Sequence, residues 1–188
     1  MVRARSLAAI ASLAVVITTA SLAHATVVVP LSLADQVGRS DLVVRAHVGT
    51  AHSAFVPARG TILTWTELEV SEVLKGQAPS TLVLRQMGGT ADGQTMMVPG
   101  DAHLAAGDDV ILFLRTDRSG TGNDVLLLAL AQSAYHVDGQ RASRDLSQLT
   151  FAVLGGAEGT QLSEPGREAS VRVDSLVSEI RSLVGGRR

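Results

Sequence analysis

The sequence predicts a mainly β protein, a five-stranded Greek-key barrel with additional strands and a C-terminal amphipathic helix. Apolar and polar residues alternate through residues 40–87, and this period of two is typical of strands that are buried on one face. Asp138-Gly139 lies between Tyr135-His136-Val137 and Arg141-Ala142, and this dipeptide is a strong signal for a β-hairpin turn. Several short strands with few helices indicate a barrel or a sandwich, and a long, bent first strand favours the barrel.

Three strands are predicted within residues 40–87. In the first strand the apolar residues from Leu42 to Val48 lie at even positions, and Gly49 predicts a bulge or a sharp bend. Residues 51–60 are expected to form a loop before the second strand. In the second strand the even positions from Ile62 to Val70 form the core face. The third strand, over residues 80–87, follows a turn that contains glycine and proline.

A short strand over residues 26–31 and a helix are predicted before the central strands. Ser32 is a suitable N-cap, with Asp35 at the third helical position. The helix is expected to run through Val37 and to end at Gly38, because glycine is common just after a helix.

The second half of the chain is expected to supply the remaining strands. After a turn at residues 105–108, the strand at residues 110–115 is apolar on both faces, and residues 125–131 form another apolar run. Both runs are short enough to be buried strands. Residues 155–168 contain glycine, glutamate and proline and are predicted to be a mobile loop.

The last element is predicted to be an amphipathic helix over about residues 174–184. Asp174 is expected to cap it and Gly185 to end it. Its apolar residues recur at helical spacing and form one stripe: Leu176, Val177, Ile180, Leu183 and Val184. The stripe predicts that the helix covers an open end or face of the sheet.

The N-terminus has the pattern of a cleavable secretory signal peptide, residues 1–25. Arg3 and Arg5 precede an apolar run over residues 7–23, and Ala23-His24-Ala25 fits a cleavage site after Ala25. A transmembrane anchor is the alternative, but the apolar run is marginal in length for a bilayer span and contains serine and threonine. The expected mature protein is a single domain, residues 26–188, that is secreted or periplasmic.

Charge and composition limit the function classes. Residues 26–188 contain 14 basic and 18 acidic side chains, a formal charge of −4, which argues against nucleic acid as a partner because such proteins need basic surfaces. Cysteine is absent, so disulfides, thiol catalysis and thiolate metal sites are excluded. The core alone must therefore hold the fold.

Four segments carry a resemblance to a known family. SDLVVRAHV at residues 40–48, TELEVSEVLKG at residues 66–76 and TLVLRQ at residues 81–86 resemble the first three strands of netrin-like barrels, the class that includes tissue inhibitors of metalloproteinases (TIMPs). GDDVILFL at residues 107–114 resembles a later strand of that family. The chain also resembles uncharacterised secreted proteins of GC-rich bacteria such as myxobacteria.

The netrin/TIMP resemblance implies an oligonucleotide/oligosaccharide-binding (OB-like) barrel. The animal inhibitors of that family chelate a protease zinc through an N-terminal cysteine and are stapled by disulfides. This chain has no cysteine. The resemblance therefore implies the fold and a protein partner, and does not imply that inhibitory chemistry.

Histidines give no metal or catalytic motif. His47, His52, His103 and His136 do not form an H-x-x-x-H or H-E-x-x-H pattern. His47 and His52 are five positions apart on one predicted strand, so opposite faces are expected for them. Two or more of these histidines meeting an acid in one cleft would favour an enzyme, whereas scattered histidines would favour a binding module.

One loop partly matches a calcium-binding pattern. Its oxygen-bearing residues and a glycine have the spacing of an EF-hand loop: Asp117, Ser119, Thr121, Gly122 and Asn123. An EF-hand loop has a bidentate glutamate at its twelfth position, where this chain has Leu128, so a plain hairpin loop is favoured.

No catalytic, cofactor-binding or metal-binding residues are predicted, and function is assigned to the surface. Trp65, with Val43 and Val73 beside it, is the candidate partner-binding surface. The alternative is that other elements cover this surface. The leading hypothesis is a non-enzymatic β-barrel module that binds a secreted or envelope protein. A hydrolase or metal-dependent enzyme, with a site that the sequence does not reveal, is the alternative.

Overall fold

The computed structural model describes residues 26–117, 124–154, 160–165 and 168–186. Strands account for 53% of the structure, which confirms the prediction of a mainly β protein. The predicted signal peptide, residues 1–25, lies outside the described residues. Among the residues described, no helix combines the length and the apolar character that a membrane crossing requires.

The described elements follow the predicted order, with several short strands added. In chain order they are β1 (Thr26–Val28), α1 (Leu33–Arg39), β2 (Leu42–Val56), β3 (Thr61–Lys75), β4 (Thr81–Met87), β5 (Gly89–Ala91), β6 (Gln94–Met96), β7 (Asp109–Thr116), β8 (Asp124–Leu127), β9 (Ala134–Asp138), β10 (Arg141–Ser143), β11 (Leu149–Leu154), β12 (Thr160–Ser163), β13 (Val171–Arg172) and α2 (Val173–Gly185).

One large sheet organises the chain, in the order β13-β10-β9-β7-β2-β3-β4-β8. Strand β7 pairs with β2, with β9 and also with β8, whereas β8 pairs in parallel with β4. The pairings therefore connect β2, β3, β4, β8 and β7 and return to β2. A small sheet of β1, β11 and β12 and a hairpin of β5 and β6 flank this arrangement.

The hairpin of β2 and β3 is longer than predicted. The segment expected to be a loop, residues 51–60, continues as strand to Val56 and turns through a short 3-10 helix, Pro57–Arg59. Gly60 follows with φ of 62°, a left-handed conformation that glycine adopts without steric cost. Residues 51–56 are mostly exposed and lack the alternation that marks a buried face, so the sequence predicted a loop where cross-strand pairing with β3 forms a strand.

Two apolar clusters lie on opposite faces of the central strands. The inner cluster contains alternate residues of β2, among them Val44 and Ala46, together with Leu68, Leu84 and Leu112. The outer cluster lies between the sheet and the helices and includes Val43, Phe113 and Ile180 of α2. The prediction that the C-terminal helix covers a face of the sheet is therefore confirmed.

The helix ends differ from the predictions in two places. Gly38 lies inside α1, which continues to Arg39, whereas Ser32 is the N-cap, as predicted, and forms a capping box with Asp35. The N-cap of α2 is Arg172 without a side-chain hydrogen bond, and Asp174 lies within the first turn. Its carboxylate instead accepts from Arg172 at 3.0 Å.

The region predicted to be a mobile loop, residues 155–168, is described only in part. Residues 155–159 and 166–167 lie outside the described residues. Residues 160–163 form β12, which pairs with β11 in an antiparallel register. Apolar and polar residues alternate only weakly in residues 160–163, so the sequence did not indicate a strand there. The strand forms through its pairing with β11, which is close in sequence.

Candidate functional site

The three residues of the predicted surface do not lie together. Val43 is fully buried beneath α2, whereas Val73 is 40% exposed and Trp65 is half-buried. Val73 and Trp65 are eight residues apart on β3, which corresponds to about 26 Å along an extended strand. A single contact patch made of Trp65, Val43 and Val73 is therefore not present.

A β-bulge also places Val73 and Trp65 on opposite faces. The register shifts at Ser71, so that Glu72 faces Arg45 and Val73 faces Val44. Directly opposed residues lie on the same face of a sheet, and Val44 belongs to the inner cluster. Val73 therefore lies on the inner side at one end of the strands, whereas Trp65 lies on the outer side.

A second bulge changes the relationship between two histidines. The register shifts between Val48 and Ala51 at the position where Gly49 predicts a bulge. His47 then faces Glu69, and His52 faces Trp65, so both histidines lie on the outer face. The expectation of opposite faces was wrong because the bulge inserts one extra residue into the alternation.

The outer face carries a row of three side chains across neighbouring strands. His52 of β2 opposes Trp65 of β3, which opposes Arg85 of β4. The imidazole and the indole are stacked, with ring centroids 5.3 Å apart and planes at 12°. We call His52, Trp65 and Arg85 the outer row.

Two aspartates anchor the outer row from the ends of β7 and β8. The Trp65 indole Nε1 donates to Asp124 Oδ2 at 3.3 Å. The Arg85 guanidinium lies 2.5 Å from Asp117 and 3.5 Å from Asp124. The side chains of Arg85 and Asp117 are only 11% and 6% exposed, so the row is preorganised while His52 remains exposed.

The aspartate that opens the calcium-like loop is therefore occupied by an ion pair with Arg85. Ser119, Thr121, Gly122 and Asn123 of that pattern lie outside the described residues. Within the ranges that the structure describes, no group of three or more histidine, aspartate or glutamate side chains is arranged to hold a metal ion.

A cavity of about 780 Å³ lies at one end of the inner cluster. Its lining includes Ala102 and Ala134, which also belong to that cluster, and polar residues from the far ends of β2, β3 and β4. His103, His136 and Asp101 line it as well. Two of the four candidate histidines and an acid therefore line one cavity.

The charged groups of the cavity have different environments. Burial raises the pKa of the Asp101 carboxyl, and a hydrogen bond from the main-chain N–H of Ala102 offsets part of that effect. The His136 Nδ1 atom lies 3.5 Å from Asp108 Oδ2. That carboxylate also accepts from the N–H of Ala105 at 2.8 Å, which closes the predicted turn.

Sequence reasoning identified one member of the outer row and missed the rest. Arg85 reads as an outward-pointing residue of a strand, and its contact with Trp65 depends on the register of β3 and β4. The pairing of His52 with Trp65 depends on the hairpin continuing through residues 51–56, which the sequence did not predict. Asp101 carried no sequence signal beyond a glycine before it.

Neither a scan against protein-family models nor a search of curated proteins found a match to this chain.

Proposed function

We propose that this chain is an exported, non-enzymatic OB-like barrel that binds a protein or another component of the cell envelope. The connections of β2, β3, β4, β8 and β7 support the barrel, because their order and the parallel pairing of β4 with β8 match a five-stranded Greek-key barrel. The remaining strands and α2 are additions to it.

A filled interior supports function at the surface. The inner cluster places fully buried Val44, Leu68, Leu84 and Leu112 between the strands of the proposed barrel. Small barrels filled in this way have no room for a ligand along the axis. Contacts with a partner therefore fall to the outer face, to the loops and to the open end.

The outer row is the observation that carries the proposal. Tryptophan and arginine are enriched among residues that dominate protein–protein binding energy. Here Trp65 and Arg85 are held by neighbouring strands and by Asp117 and Asp124, so little side-chain entropy remains to be lost on binding. Exposed His52 gives the row a polar aromatic edge.

Export of the mature chain, residues 26–188, follows from the predicted signal peptide and is part of the proposal. It places the protein in the periplasm or outside the cell, where a secreted or envelope protein is the expected partner. The charge of −4 over residues 26–188 favours a neutral or basic partner surface.

The test is affinity capture with matched variants. Immobilised mature protein should retain a specific partner from an envelope extract of the native host, and Trp65→Ala and His52→Ala should each weaken retention. Val27→Ala is the control, because Val27 is an exposed apolar residue on the separate small sheet. Retention that is the same for all variants, or retention of nothing, would contradict a binding role for the outer row.

A second candidate, a hydrolase, is favoured by one observation. His103, His136 and Asp101 line the same cavity, and an acid lies 3.5 Å from His136 Nδ1, as in a histidine oriented for general-base catalysis. In a screen of esters, peptides and glycosides, turnover by the wild type that His136→Gln abolishes would support this candidate. Turnover by neither protein would leave the binding module.

A further inference from the structure

The cavity has a floor of small residues at the end of the inner cluster. Gly88, Gly100, Ala102, Ala131 and Ala134 line it. The cavity has a volume of about 780 Å³, which is within the range of small-molecule sites. The space is therefore built into the packing of the strands and is separate from the outer row.

Two of the charged groups at the cavity already have partners. The Arg144 guanidinium donates two hydrogen bonds of 2.6 Å to the Glu168 carboxylate and one of 2.9 Å to the carbonyl of Gln132. His136 Nδ1 lies next to Asp108. Neither side chain therefore brings an uncompensated charge to the cavity.

The described partners of Asp101 are uncharged. Its carboxylate accepts from the Ala102 N–H at 2.9 Å and from the Gln86 side chain, and among the described ion pairs no lysine, arginine or histidine nitrogen lies against it. Partial burial makes ionisation of this carboxyl less favourable. A cation that enters the cavity would supply the missing opposite charge.

Apolar side chains surround the same space. Met87, Met96, Met97 and Leu104 line the cavity, and methionine adapts its shape to flexible aliphatic groups. No aromatic ring of tyrosine, tryptophan or phenylalanine is among the described lining residues. The combination fits a flexible methylene chain that ends in a charged group better than it fits a planar base or a sugar ring.

We propose that this cavity binds a ligand with an alkylammonium group, in which Asp101 pairs with the ammonium and Met97 and Leu104 contact the methylene chain. The same chemistry occurs in a free aliphatic diamine and in the lysine side chain of a partner protein. The site goes beyond the proposed function, because its residues are distinct from the outer row.

Calorimetric titration of the mature protein at neutral pH tests the site. The probes are 1,5-diaminopentane, Nα-acetyl-lysine amide and, as the uncharged comparison, Nα-acetyl-norleucine amide. We expect saturable binding of at least one amine and none of the norleucine compound. Binding of the diamine alone indicates a free amine as the source, and binding of the lysine compound alone indicates a partner's side chain.

Variants separate the site from the fold and from the outer row. Asp101→Asn should weaken amine binding by about tenfold or more, because it removes a charge-assisted hydrogen bond. Asp138→Asn, at the exposed end of β9, and Trp65→Ala should bind as the wild type does. The proposal is overturned if neither amine binds, or if Asp101→Asn binds with unchanged affinity while urea unfolding shows that it is folded.

Discussion

Lys75, at the end of β3, donates hydrogen bonds of 2.5 Å to the main-chain carbonyls of Ser40 and of Val37. Both carbonyls belong to the C-terminal end of α1, where helix carbonyls lack partners within the helix. A cation there also interacts favourably with the helix dipole. One side chain thus connects the first helix to the central sheet.

Replacing Lys75 should therefore loosen α1. Lys75→Met keeps the aliphatic length but removes a donor from the Ser40 carbonyl and leaves the Val37 carbonyl with the longer bond of 3.3 Å from the Ser40 hydroxyl. We expect it to lower the free energy of unfolding by about 1–3 kcal/mol. Urea unfolding measures the change. Arg59→Met is the control, because Arg59 is exposed in the β2–β3 turn, and its effect should stay within about 0.5 kcal/mol.

The packing of α2 gives a second prediction. Ile180 is fully buried in the outer cluster, so Ile180→Asp should destabilise the protein by about 2–4 kcal/mol, through lost apolar burial and a buried charge. Ser178→Asp, on the exposed side of the same helix, controls for the added charge. A loss below about 0.5 kcal/mol for Ile180→Asp would mean that the helix does not pack on the sheet in solution.

The spacing of apolar residues predicted the central strands and α2, because in both the apolar positions are the ones that are buried. The same reasoning failed where one inserted residue shifted the alternation, at Ser71 and between Val48 and Ala51. A glycine marked the second bulge in the sequence, whereas Ser71 gave no such mark. Val43 was misplaced for another reason: α2, more than a hundred residues later, covers it.

The cavity could not be predicted from the sequence for a related reason. Its lining comes from segments between residues 51 and 148 that are far apart in the chain, and alanines and glycines have no characteristic pattern. Asp101 and His136 line the same cavity because strand pairing brings their segments together. Local patterns therefore identified strands, whereas the cavity depends on tertiary packing.

A third prediction concerns processing of the chain. Export with cleavage after Ala25 should yield a mature protein that begins at Thr26, because Ala23-His24-Ala25 fits the small-x-small pattern of cleavage sites. Mass spectrometry of the protein purified from the native host measures the N-terminus. An exported form that retains Met1 would contradict the predicted signal peptide.

The raised pKa of Asp101 predicts a specific pH dependence of stability. When the folded state raises a carboxyl pKa, it binds a proton more readily than the unfolded chain, whose value is near 3.8, and stability then falls as pH rises through the folded-state pKa. His103, His136, Arg144 and Asp145 line the same cavity, so their own titration must be separated from that of Asp101.

Comparison with Asp101→Asn isolates this contribution, because the amide does not titrate and the other groups remain. The free energy of unfolding of the wild type relative to the variant should decrease as pH rises from about 3.8 through the raised pKa of Asp101, and should level off above it. Urea unfolding across this range measures the difference. A difference that is constant, or that increases with pH, would contradict burial as the dominant influence on Asp101.

The last prediction concerns the ion pair between Arg85 and Asp117, which holds the outer row. Both side chains are largely buried, so Arg85→Met removes the guanidinium from a desolvated carboxylate and should cost about 3–5 kcal/mol. Adding Asp117→Asn removes that charge, so the double variant should be less destabilised than the sum of the two single variants.

The matched pair Arg45–Asp109 is more exposed, at 30% and 21%, and its Arg45→Met variant should cost about 1 kcal/mol or less. The fluorescence of the single tryptophan, Trp65, measures whether the environment of the outer row changes. Asp117 does not position the row if the emission maximum of Arg85→Met is unchanged and the free energies of unfolding of the two single variants add up to that of the double variant.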